Sequence, residues 1–246
     1  MNPIVLTDLD DTLFQTMPKC PPGITGLRQM STLIDGTASG FATPLQQSFL
    51  RWLEAGSVIP VTARGREVLA RVDIAAAPAI CANGGCILTA DGTLDTVWHG
   101  RLTDEARQTE AVGDVYRALT DGLCGERFRH WSVEEAGLDL YIVIKSNLQD
   151  EAALSDLQRQ LAPKVPAGWR CHRNGNNLAY LPPWLSKRYA TRYLIAQLRD
   201  EHPDRPIIGI GDSVSDAGFM DLCDFAMVPT GSQLWAHITD GSDWID

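Results

Sequence analysis

No stretch of the 246-residue chain comes near the roughly 18 consecutive apolar residues that read as a membrane span. The first apolar run, Ile4-Val5-Leu6, is short and runs into Asp8, Asp10 and Asp11, which is not the profile of a secretory leader. Basic residues are scarce: 21 Lys and Arg against 31 Asp and Glu leave a formal charge of −10. Nucleic acid and anionic membranes both need a basic face, so neither is an expected partner. An anionic small molecule stays open, because a bound metal ion reverses the local field. Cysteine is sparse too. Cys20, Cys81, Cys86, Cys124, Cys171 and Cys223 form no C-x-x-C pair, and a chain of this length buries enough core to fold without disulfides. Reduced thiols in a cytoplasmic protein are the expectation. The five histidines show no metal-ligand spacing, and there is no internal repeat or low-complexity tract.

What is present is an alternation of short apolar runs with helical periodicity. Ile4–Thr7 reads as a buried strand ending in acids. Residues 17–43 are rich in Gly and Pro and read as an irregular excursion. Leu45, Phe49, Trp52 and Leu53 recur at helical spacing, Val58–Val61 is a second strand with an awkward Pro60, 64–72 reads as a helix and Ala79–Ala82 as a third strand. The middle changes character. A hairpin is expected around Asp91-Gly92, between 87–88 and 94–98. A polar helix follows at 103–120, then a strand at Leu138–Ile144, a helix at 149–162 and a hairpin of 169–173 with 178–181. From Ser186 the rhythm returns: helix 186–199, strand Ile207–Ile210, helix near 214–222, strand Phe225–Val228. The fold class expected is α/β. A Rossmann-like parallel sheet, residues 1–87 plus 183–246, is interrupted by an α+β cap domain at 88–182.

Two acidic clusters follow predicted strands, at the edge where open α/β sheets bind ligands. In Asp8-Leu9-Asp10-Asp11-Thr12, alternation puts Asp8 and Asp10 on one side. Carboxylates so placed repel unless a cation or a shared proton intervenes. One can serve as nucleophile and metal ligand, the other as general acid and base. A calcium loop does not fit, since Leu13 and Lys19 stand where glycine and glutamate are needed. In Gly211-Asp212-Ser213-Val214-Ser215-Asp216, Gly211 allows close backbone approach, and Asp212 with Asp216 either completes an oxygen site for a hard cation or caps a helix. Thr62 closes a strand at the same edge, presenting its hydroxyl there or capping the next helix. Lys187 opens a helix, where the dipole disfavours a cation; a neighbouring anion explains it better than solvent, though the effect is small.

Together these residues resemble the haloacid dehalogenase superfamily of phosphohydrolases: D-x-D-x-T at Asp8, Asp10 and Thr12, a hydroxyl at Thr62, a helix-opening lysine at Lys187, and G-D-x-x-x-D at Asp212 and Asp216. The block between Thr62 and Lys187 stands where the Cof-type and sucrose-phosphate-phosphatase-like branch carries a large α/β cap. Cys81-Ala82-Asn83-Gly84-Gly85 is similar to that branch's N-G-[AG] loop, and Ser186-Lys187 to its S-K helix start. The chain departs from the branch at Ser215, where Asn is usual, at Thr62-Ala63-Arg64, where T-G-R is usual, and in the length of the 17–43 excursion.

The resemblance implies a Mg²⁺-dependent phosphomonoesterase working through an aspartyl-phosphate on Asp8, with Asp10 as acid and base. Thr62 and Lys187 would hold the transferring oxygens. Mg²⁺ would be held by Asp8, the carbonyl of Asp10 and Asp212, with Asp216 as a further ligand or supporting them. Thr12, Asn83, Gly84 and Ser215 fall near the substrate by the same resemblance, and Arg64 is a candidate for a second anionic group. In the cap, Arg173 and Asn177 are either leaving-group contacts or ordinary residues of a Gly175-centred turn. The small-molecule substrate expected is a sugar phosphate, with polyol or glycerate-type phosphates next. A phosphomutase of the phosphomannomutase type and a catalytically silent phospho-ligand-binding protein are the rival readings.

Overall fold

The computed structural model describes residues 2–75 and 77–240. In chain order the strands and helices are β1 (Ile4–Thr7), β2 (Arg28–Thr32), β3 (Ala38–Ala42), α1 (Pro44–Leu53), β4 (Ser57–Pro60), α2 (Arg66–Leu69), β5 (Ala79–Cys81), β6 (Cys86–Leu88), α3 (Thr96–Ala106), α4 (Val112–Thr120), β7 (Phe128–Glu135), β8 (Leu138–Ser146), α5 (Glu151–Leu161), β9 (Arg170–Asn174), β10 (Asn177–Leu181), α6 (Lys187–Glu201), β11 (Ile207–Ile210), α7 (Val214–Met220), β12 (Phe225–Met227) and α8 (Gln233–Thr239). The chain divides into two compact units, residues 1–95 with 187–246, and residues 96–186. The breaks fall several residues beyond the 88 and 182 expected from the sequence.

The first unit is built on a parallel sheet of order β12-β11-β1-β4. β1 is central and fully buried, as its run of Ile, Val and Leu requires of a strand covered on both faces. It pairs with β11 from Ile4↔Ile207 to Thr7↔Ile210 and with β4 from Ile4↔Ser57 to Thr7↔Pro60. Pro60 is tolerated because the amides of Ser57 and Val61 are the ones that turn towards β1, leaving the position of Pro60 on the outer side of the strand. Val5, Leu9, Leu13, Phe14, Leu50, Leu53, Leu69 and Ile210 join one apolar core. α1 starts where a capping box demands it: Thr43 accepts the Gln46 amide while the Gln46 side chain accepts the Thr43 amide.

Several expectations are corrected here. Residues 28–42 are an antiparallel hairpin, not irregular chain, tied to the rest by Thr32 and Asp73 amides bonded to Arg71 and Met30 carbonyls. The helix expected over 64–72 is the single turn α2, because Arg71 to Asp73 lend their backbone to β2. β5 does not join the parallel sheet as a full strand. It pairs antiparallel with β6 and meets β4 only through a bridge from Val61 to Ile80. The hairpin expected around Asp91 is present but short: Leu88 and Leu94 form an antiparallel bridge, and the Thr89 and Asp95 amides donate to the Thr93 and Ile87 carbonyls. Its second arm stops there, because residues 96–98 open α3. The helix expected over 103–120 is α3 and α4.

The second unit is a four-stranded antiparallel sheet of order β7-β8-β10-β9. α4 packs against β7 and β8, and α5 against β8 and β10. Cross-strand partners share a face. Arg173 lies opposite Leu178, Leu178 opposite Ile144 and Ile144 opposite His130, whose Nδ1 is 2.9 Å from the Tyr116 hydroxyl on α4. Arg173 is thus on the helix-covered face, while Asn177, one residue before Leu178, is on the other. The two residues expected to read one leaving group diverge.

Candidate active site

The strand order places three chain exits side by side: Asp212 after β11, Asp8 after β1 and Thr62 after β4. Asp8 continues the ladder by donating its amide to the Ile210 carbonyl at 2.8 Å. The chain then turns sharply. Asp11 adopts φ +62°, a left-handed conformation that Asp tolerates better than most residues. The turn brings the Thr12 hydroxyl back to 3.4 Å from Asp8 Oδ2 and 3.2 Å from Asp212 Oδ1. Thr12, expected beside the substrate, is engaged by the two carboxylates.

Gly211 carries Asp212 past the first turn of α7. A Cβ on it would lie 2.4 Å from Cβ of Asp216, so only glycine permits this approach. α7 begins with a capping box in which the Ser213 amide and hydroxyl both donate to Asp216 Oδ2, at 3.0 and 2.6 Å. Ser215 is exposed and bonds Ser213 at 2.8 Å. The other oxygen of Asp216 accepts from Lys187 at 2.7 Å, and the same ammonium donates to Asp8 Oδ1 at 2.6 Å. Lys187 is buried, with the Phe219 ring 5.9 Å from its Nζ. The anion that the helix-opening lysine called for is therefore a pair of carboxylates from two distant parts of the chain.

Carboxylate oxygens of Asp8, Asp212 and Asp216 all lie within 4.8 Å of one another, and all three residues are buried. One ammonium against three carboxylates leaves a deficit of positive charge. Burial pushes the Asp8 carboxyl well above the usual carboxylate range, and the charges of Asp216 and Asp10 add to this against the pull of Lys187. Burial also pushes Asp212 up to about 6, helped by Asp216 and Asp11. For Asp216 burial is overcome by Lys187 and Ser213, which hold it below the usual range. Burial alone would pull Lys187 down; Asp216 and Asp8 instead hold it above its usual value. Two buried oxygen donors pushed towards protonation fit a hard divalent cation, which would supply the missing charge. Asp216 has both oxygens engaged by the protein and fits better as the partner that fixes Lys187.

Thr62 is buried. Its amide donates to Ile80, and its Oγ accepts the Arg64 amide at 3.1 Å, leaving the hydroxyl proton free to be donated. The loop between β5 and β6 folds against it: the Ala82 and Asn83 amides donate to the Arg64 and Thr62 carbonyls. Ala82 and Asn83 hold φ of +49° and +58°, sparsely populated conformations of the kind that cluster at functional sites. Asp10 is engaged by Arg64 alongside, Nε to Oδ2 and Nη2 to Oδ1, both at 2.7 Å. The structure thus brings together Asp8, Asp10, Thr12, Thr62, Arg64, Asn83, Lys187, Asp212 and Asp216 within the first unit. Arg173 and Asn177 belong to the second. Ser213 was not singled out by sequence, although S-x-x-D before an apolar residue is a capping-box signature. Phe14, below Arg64, carries no such signal.

No protein-family model matches the chain, and no curated protein matches it in sequence. Solved structures do match in fold. The sucrose-phosphatase of Synechocystis sp. PCC6803, solved with sucrose and phosphate, aligns at a TM-score of 0.60 and 18% identity over 98% of this chain and 89% of that one. Thermoplasma acidophilum 0175 aligns at 0.54 and 13% identity over 99% and 90%. At such identities the likeness establishes the fold alone, a parallel α/β core with an α+β unit inserted in the chain. Among the described residues no helix is long and apolar enough to cross a membrane.

Proposed function

We propose that the protein is a Mg²⁺-dependent phosphatase that hydrolyses a small phosphomonoester through an aspartyl-phosphate on Asp8. The observation that carries this reading is the buried Asp8–Lys187–Asp216 chain beside Asp212, at the edge where three parallel strands end. Asp8 keeps one oxygen on Lys187 and turns the other towards Thr12, so the carboxylate is oriented before any ester arrives. It attacks phosphorus in line. Asp10 gives a proton to the departing ester oxygen, then takes one from the water that releases phosphate. Lys187 and the Thr62 hydroxyl stabilise the transferring oxygens. Asp8, Asp212 and the Asp10 carbonyl would hold the cation, which when bound offsets charge between carboxylate and phosphate. Asp216 keeps Lys187 in place.

A sugar phosphate is the proposed substrate class, and the 96–186 unit the source of selectivity. The sucrose-phosphatase with the same fold was solved with sucrose and phosphate, which supports testing disaccharide and hexose phosphates first. The test is phosphate release over a panel of sugar, polyol and glycerate phosphates with Mg²⁺, repeated with EDTA. Release that EDTA abolishes and Mg²⁺ restores is expected. Release from no member of the panel, or full release in chelated protein, contradicts the reading.

A further inference from the structure

The sequence makes Arg64 a candidate for an anionic group of the substrate. The structure gives it a partner inside the protein. Its guanidinium reaches Asp10 with two parallel hydrogen bonds of 2.7 Å, one to each oxygen. That fork-to-fork arrangement fixes the plane of a carboxylate as well as its position. The arginine is itself held. Its amide donates to Thr62 Oγ, its carbonyl accepts the Ala82 amide, and its guanidinium lies 5.3 Å from the centre of the Phe14 ring. The Arg64 side chain is 16% exposed and the Asp10 side chain 49%. An incidental surface pair has two mobile partners; here one partner is anchored at main chain and side chain and the other is open to solvent.

We propose that Arg64 is a positioning residue for proton transfer: the anchored fork holds the Asp10 carboxyl in the orientation from which it serves the ester oxygen. The inference rests on the phosphatase reading. A carboxylate has about four lone-pair sites, and a bidentate guanidinium occupies one on each oxygen, which leaves one on each for the proton in transit. In the first step the Asp8 oxygen–phosphorus bond forms, the ester oxygen–phosphorus bond breaks, and the ester oxygen takes the Asp10 proton. In the second, water oxygen bonds to phosphorus, the Asp8 bond breaks, and the water proton returns to Asp10. Both transfers need Asp10 at a fixed place, and an unheld aspartate has freely turning side-chain torsions. Arg64→Ala and Asp10→Asn should therefore damage the same step.

The test measures kcat/KM with Mg²⁺ on β-glycerol phosphate, whose alkoxide leaves badly without a proton, and on p-nitrophenyl phosphate, whose leaving group needs little help. Arg64→Ala is expected to lose at least about tenfold on β-glycerol phosphate and less than about threefold on p-nitrophenyl phosphate, with inhibition by inorganic phosphate unchanged. Arg64→Lys, which keeps the charge and loses the fork, should fall between wild type and Arg64→Ala and guards against a folding defect. Combined with Asp10→Asn, Arg64→Ala should cost nothing more. Equal losses on both esters, weakened phosphate inhibition, additive losses in the double variant, or no loss at all would overturn the proposal. Wild-type protein inactive on both esters would remove the phosphatase reading and the inference with it; an active wild type with an indifferent Arg64→Ala removes the inference only.

Discussion

The ammonium of Lys187 lies 2.6 Å from Asp8 and 2.7 Å from Asp216, and so joins the end of β1 to the first turn of α7 through one buried cation. Asp8 precedes Lys187 by 179 residues. The three side chains are 9%, 8% and 1% exposed, so water screens little of their interaction.

Removing the cation from this trio leaves two buried carboxylates facing each other. Lys187→Met should lower the unfolding free energy by about 3–5 kcal/mol, the range for breaking a buried pair by deleting one partner. Urea unfolding measures this. A variant as stable as wild type would show that the pair adds nothing to the fold.

The same charge imbalance makes stability respond to pH and metal together. A carboxyl raised by folding binds its proton more tightly in the folded chain. The contribution of Asp212 is complete below its ordinary value of 3.8 and is lost as pH rises through about 6. Asp8 acts in the same direction. Metal-free protein should therefore lose this contribution over that window. Divalent cations need the ionised carboxylates, so the rise in Tm on adding Mg²⁺ should be larger at about pH 7.5 than at about pH 5. Thermal scans at both pH values, with and without Mg²⁺, check it; an increment larger at the lower pH contradicts it.

Gly211→Ala probes the close approach beneath Asp212. The added carbon would sit 2.4 Å from Cβ of Asp216 and 3.0 Å from the Met220 sulfur, so α7 must shift. A loss of about 1–3 kcal/mol is expected, the usual cost of overpacking. Because Asp216 moves with the helix, phosphate release should fall too. Unfolding and activity measured on one preparation decide it, and full retention of both would mean that the turn yields freely.

Much of this was legible in the residues. β1 declares itself as the run Ile4-Val5-Leu6 and β11 as Ile207-Ile208-Gly209-Ile210, each with an acid within two residues of its end, and such apolar strands fit a sheet covered on both faces. Asp8, Asp212, Thr62 and Lys187 could be named because their types sit at strand ends or a helix start, where side chains of that chemistry need a reason. The hairpin of β2 and β3 was hidden: its polar Ser and Thr pattern gives no alternation to read, and its order comes from backbone bonds to residues 71–73. β7 was missed for a similar reason, since Phe128–Glu135 interleaves Arg, His and Glu with few apolar residues and is held by pairing with β8. The fork from Arg64 to Asp10 depends on β4 lying beside β1, a tertiary fact that no local pattern carries.

The claim that bears the most weight is that Asp8 is the nucleophile. The decisive measurement is phosphate release by folded Asp8→Asn with saturating Mg²⁺, beside wild type, on the best ester of the panel. The amide is a poor nucleophile and lacks the charge that helps hold the cation, so kcat should fall by at least about 10³ while the circular dichroism stays that of wild type. Turnover by the folded variant within about tenfold of wild type would contradict the account, because in that case the phosphoryl group would not pass through Asp8.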